Sequence, residues 1–64
     1  MNIIVNGKPA LFDGGSLQTL LTQQAVQPPF AVAVNTRFVP KSRYAETLLQ
    51  EGDQVEIVRP VVGG

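Results

Sequence analysis

Gln54-Val55-Glu56-Ile57-Val58-Arg59-Pro60-Val61-Val62-Gly63-Gly64 is the stretch on which the fold turns. Its first half alternates apolar and polar residues, the period of a strand with one buried face. Val55 and Ile57 point inward, and Gln54 and Glu56 point outward. Pro60 then removes a backbone donor, which marks where the last strand leaves its sheet. Val61, Val62, Gly63 and Gly64 are left to project. The expected organisation is one domain over residues 1–60 and a flexible C-terminal tail over residues 61–64 that ends in Gly-Gly.

Working back from that strand, Glu51-Gly52-Asp53 reads as a tight turn. Ser42 to Leu49 fits a turn of helix followed by a short strand, and the pattern alone does not decide it. Phe38-Val39-Pro40 is a short extended piece. Phe30 to Asn35 reads as a buried strand, and its small Ala31 and Ala33 suggest a helix lying close on one face. Ser16 is placed as a helix N-cap, and Leu17, Leu20 and Leu21 form one apolar stripe behind it. Gln18 and Gln23 fall on the wet side, and Pro28-Pro29 ends the segment. Upstream, Ile3-Ile4-Val5 runs into Asn6-Gly7, a strong hairpin signal because both residues tolerate positive φ. Pro9 puts the return strand, Lys8 to Phe12, at a sheet edge. The order is strand, strand, helix, strand, short strand, strand. That is an α+β chain, a small mixed sheet with one main helix packed across it.

Composition narrows what such a domain does. The sequence has 64 residues, enough for one modest core and too few for a deep cleft between domains. It contains no Cys and no His, so it lacks a thiolate nucleophile, the usual general base and the commonest metal ligands. Asp13, Glu46, Glu51, Asp53 and Glu56 are scattered, with no metal-loop spacing. The expectation is a protein that is not an enzyme, with no catalytic residues and no metal. Formal net charge is zero, and Lys8, Arg37, Lys41, Arg43 and Arg59 form no run, which argues against nucleic acid. No stretch has the length of a membrane span, and Met1-Asn2-Ile3 does not open like a signal peptide. A soluble, cytoplasmic protein is expected.

Several pieces, taken in order, carry a resemblance. They are Gly15-Ser16-Leu17 with Leu20-Leu21, Ala31-Val32-Ala33-Val34-Asn35, Val39-Pro40, Gly52-Asp53, Val55-Glu56-Ile57-Val58 and Gly63-Gly64. Over essentially the whole chain they resemble the bacterial sulfur carrier family of thiamine biosynthesis, ThiS. Tyr44 stands where that family often has tryptophan, and Pro60 where a small residue is common. The resemblance implies a β-grasp, ubiquitin-like fold. It also implies that an E1-like, ThiF-type adenylyltransferase uses ATP to activate the Gly64 carboxylate. A sulfur donor from a cysteine desulfurase pathway then converts it to a thiocarboxylate. A ThiG-type thiazole synthase takes that sulfur into the thiazole ring. This chain would bind no cofactor itself; ATP belongs to the partner.

The tail suits that chemistry. Glycine has no Cβ to hinder attack on an activated terminal carbon, and Gly63 lets the backbone enter a narrow channel. Pro60, Val61 and Val62 favour extended shapes and so lower the cost of ordering the arm in a partner. Two places admit two readings. Phe38 is either core or part of an outer sheet face that binds partners. Arg59 and Lys41 are either partner contacts or solvated surface charges. Two further functions share the same chemistry at the terminus: sulfur carriage for molybdopterin or another pathway, and ubiquitin-like protein modification. A passive interaction module would leave Gly64 unused.

Overall fold

The structure is a computed structural model that describes residues 1–60. Among the described residues five strands form one sheet in the order β2-β1-β5-β3-β4. The strands are β1 (Asn2–Val5), β2 (Lys8–Leu11), β3 (Ala31–Val34), β4 (Arg37–Val39) and β5 (Gln54–Val58). One α-helix, α1 (Leu17–Gln23), lies across the sheet, and a 3₁₀ helix spans Lys41–Glu46. This is the mixed sheet with one main helix that the pattern anticipates.

Local chemistry explains most of the elements. Asn6 and Gly7 have φ of 50° and 80°, the positive values a two-residue hairpin turn requires. They fold β2 antiparallel onto β1, in the register Val5↔Lys8 to Asn2↔Leu11. Pro9 sits in β2, an edge strand, where a missing donor is tolerated. Asn35 and Thr36, with φ of 51° and 70°, make a second such turn between β3 and β4. The sequence hides this turn, because a β-branched threonine is an unusual residue at positive φ.

Ser16 caps α1: its Oγ accepts from the Thr19 N–H at 3.2 Å. Leu17, Leu20 and Leu21 are buried against Ile3, Val5, Val32 and Val55 of the sheet. The helix is shorter than Pro28-Pro29 implies. It ends at Gln23 because Ala25 turns left-handed, with φ of 54°. Val26 N–H donates to the Leu21 carbonyl at 3.3 Å and Ala25 N–H to Thr22 at 3.1 Å. That pair of bonds is a Schellman stop, closed by contact between Val26 and the core. An alanine where glycine is usual conceals it in the sequence.

The alanines of β3 also need correcting. Val32, with 1% of its surface exposed, faces the helix, whereas Ala31 is exposed and Ala33 half-buried on the opposite face. The pleat puts valines inward and alanines outward. The undecided stretch from Ser42 to Leu49 becomes the end of the 3₁₀ helix followed by a single bridge, Leu48 to Ser16, rather than a strand. The 3₁₀ helix delivers Tyr44 into the core, stacked on Phe30 with ring centroids 6.1 Å apart.

Leu20 is fully buried at the centre of this layer. Leu20→Ala should cost about 2–5 kcal/mol of stability, read as a lowered urea midpoint with little change in slope.

Candidate functional site

The site is the end of β5 and the sheet face around it. β5 is the middle strand, parallel to β1 and antiparallel to β3. Its last pairing is Val58 with Ala31, after which Arg59 and Pro60 leave the sheet, both exposed. The strand therefore stops where Pro60 indicates. Val61, Val62, Gly63 and Gly64, which the sequence analysis assigns to the partner-binding tail and the sulfur attachment point, lie outside the described residues.

Phe38 belongs to the outer face, with 68% of its surface exposed. Strand register shows what surrounds it. Phe38 on β4 pairs with Ala33 on β3, Ala33 pairs with Glu56 on β5, and Ala31 pairs with Val58. Residues directly paired across strands share a face. The two alanines thus floor a shallow, largely apolar strip walled on one side by Phe38 and on the other by Val58, itself 60% exposed, and by the exposed carboxylate of Glu56 opposite Ala33. Beside it, Val58, Pro60, Pro29, Phe30 and Ala31 line an open cleft of about 330 Å³. The strip and the cleft meet at Val58, at the point where the chain leaves the sheet.

Arg59 is exposed and joins no ion pair among the described residues, so it is a solvated cation next to Val58 and Pro60 in the chain. Lys41 is also exposed. The ion pair present is Arg43 to Glu46 at 3.3 Å, with both side chains largely in water, where such a pair adds little. Among the described residues, no group of His, Cys, Asp or Glu is placed to hold a metal, and no helix is long and apolar enough to cross a membrane.

Sequence reasoning singles out Phe38, Arg59 and Pro60 and misses Val58, Ala31, Ala33 and Phe30. One signal was available. Gln54, Glu56 and Val58 share the outward register of β5, and a valine there is an apolar residue on the wet side. The alanines carried no such mark, since small residues suit a close helix contact equally well.

Comparison with known proteins gives a consistent picture. The model of the ThiS family matches residues 3–64. The crystal structure of a thiamine biosynthesis protein (ThiS) from Geobacter metallireducens superposes with a TM-score of 0.86 at 29% identity, covering all of both chains. A solution structure of a thiamine biosynthesis protein from the same organism gives 0.83 at 29% identity, covering all of this chain and 88% of that one. A thiazole synthase of Paramagnetospirillum magneticum is 35% identical over 66 residues. That match takes in the whole of this chain and 20% of the relative, so the chain spans one fifth of that protein's length.

Because most of Phe38 is exposed, Phe38→Ser should change unfolding free energy by no more than about 0.5 kcal/mol. A loss above about 2 kcal/mol in urea titration would place the ring in the core after all.

Proposed function

The chain belongs to the ThiS family, and from that premise we propose that it carries sulfur, as a thiocarboxylate on Gly64, for the thiazole of thiamine. Its Gly64 carboxylate is activated as an acyl-adenylate by an E1-like adenylyltransferase of the ThiF type, which binds the ATP. The outer sulfur of a persulfide from a cysteine desulfurase pathway displaces AMP from the activated carbonyl to give an acyl disulfide. A second thiol then cleaves its S–S bond by exchange, leaving the thiocarboxylate sulfur on Gly64 and a disulfide on the donor. A thiazole synthase of the ThiG type then accepts that sulfur. The likeness to a protein named thiazole synthase supports this destination over molybdopterin. The chain acts as a co-substrate of its partners, in the cytoplasm.

One observation carries the reading: the middle strand of the sheet, not an edge strand, runs out at Pro60 beside an exposed apolar face. Four residues follow Pro60 in the sequence, and fully extended they reach at most about 14 Å. A partner that engages the Gly64 carboxyl must therefore sit against the surface around Pro60. That surface includes the Phe38–Val58 strip and the exposed Arg59. Docking of the body on this strip helps offset the ordering of the arm, about 4–8 kcal/mol for four residues.

Incubation with ATP, the host's adenylyltransferase and a persulfide source should give an intact mass with one sulfur in place of one oxygen, mapped to Gly64. No change, with the adenylyltransferase active on another carrier, would overturn the proposal. With fold retained, Phe38→Ser should slow charging roughly tenfold at limiting partner concentration, through weaker docking. Equal rates for the two proteins would remove Phe38 from the partner surface.

A further inference from the structure

β5 outruns its neighbour. β1 pairs with it only at Ile4↔Gln54 and Val5↔Val55, and then the chain reverses at Asn6-Gly7. β5 continues for three more residues, to Val58. On that flank the Ile57 N–H has no strand to meet. It donates instead to the Asn6 side-chain Oδ1, at 2.7 Å. The Asn6 backbone N–H still donates to the Val55 carbonyl at 2.9 Å, so one residue grips β5 on both sides of Glu56.

The other hairpin repeats the device. Asn35 also holds the first position of a two-residue turn at positive φ. Its Oδ1 accepts from the Gln54 N–H at 2.9 Å, and its Nδ2 donates to the Asp53 carboxylate at 3.0 Å. Each turn thus lends an asparagine amide to an end of β5. A hairpin turn by itself asks only for tolerance of positive φ, which glycine or aspartate also supplies. The bond from Asn6 to Ile57 goes beyond that requirement.

We propose that Asn6 is a positioning residue for the carrier reaction, fixing the end of β5 from which the reactive arm departs. The role rests on the carrier reading given above. Ile57 lies three residues before Pro60, so a shift there moves the base of an arm whose reach is about 14 Å. Adenylyl transfer to the Gly64 carboxylate, like the acyl transfer after it, demands reacting atoms held close and aligned, and misplacement by about 1 Å can cost on the order of a hundredfold in rate. Docking depends on the Phe38–Val58 strip, whose residues lie on β3, β4 and β5, whereas Asn6 lies in the turn after β1. Loss of the Asn6 amide should therefore lower turnover and leave affinity alone.

The test compares the full chain with Asn6→Gly and Asn6→Asp. The first keeps a turn-competent residue and removes the acceptor; the second keeps both. Amide exchange by NMR reads the anchor in the free protein. Pyrophosphate release with the host's adenylyltransferase reads kcat and KM. In Asn6→Gly the Ile57 amide should exchange roughly five- to tenfold faster, as expected for loss of one hydrogen bond. Its kcat should fall roughly two- to tenfold, with KM within about twofold. Asn6→Asp should restore both. Unchanged Ile57 exchange in Asn6→Gly would overturn the anchor. Faster exchange with unchanged kcat, or a rise in KM alone, would reduce Asn6 to a structural residue. If the unaltered chain is never adenylated, the carrier reading falls and takes this role with it, while the exchange result still decides the anchor.

Discussion

β5 lies between two strands, paired antiparallel with β3 through to Val58 and parallel with β1 at Gln54 and Val55, and the rest of the molecule is arranged around that fact. A strand in the middle of a sheet cannot shift without breaking two ladders. It is therefore held more firmly than a strand at either edge. An edge strand would leave one flank open to fraying and to pairing with other chains. Here the edges are β2, which carries Pro9, and the three-residue β4.

The helix and the 3₁₀ segment serve that arrangement from one side. Leu17, Leu20 and Leu21 cover Val55 and Val32, so the inner face of β5 is sealed into the only core that 64 residues can support. Packing on one side frees the other. With the helix committed to the inner face, the outer face at β3, β4 and β5 is left to Ala31, Ala33, Phe38 and Val58. The N-terminus is tied into the same sheet, since the Met1 ammonium donates to the Phe12 carbonyl at 2.7 Å. The exposure of these outer-face residues is thus a consequence of which side the helix occupies.

Polar side chains complete what the ladders leave unfinished. Asn6 and Asn35 bind β5 near its two ends, and Asp53 closes the entering turn by accepting from the Gln50 N–H at 2.8 Å. Glu51 accepts from the Asn2 N–H at 2.9 Å, at the start of β1. Residues that read in a sequence as ordinary turn and surface chemistry are here bonded across 18 to 51 positions of chain. Their local preference for turns is what the sequence displays; their long-range bonds depend on which strands the fold brings beside them.

Where a feature depends on neighbours in the chain, the sequence suffices. The Asn6-Gly7 hairpin, the Ser16 cap, the leucine stripe, the edge position of Pro9 and the exit of β5 at Pro60 follow from φ preference, donor count and apolar period. So did the order of elements, and with it the mixed sheet under one helix. Features that depend on contact between distant segments needed the tertiary structure. Period two shows that Ala31 and Ala33 oppose Val32 and Val34, but not which set meets the helix. A half-apolar strand has no local mark of its inner face until a partner layer covers it. The exposure of Phe38, the strip it forms with Val58, and the bond from Asn6 to Ile57 across 51 positions arise only when β3, β4 and β1 are laid beside β5.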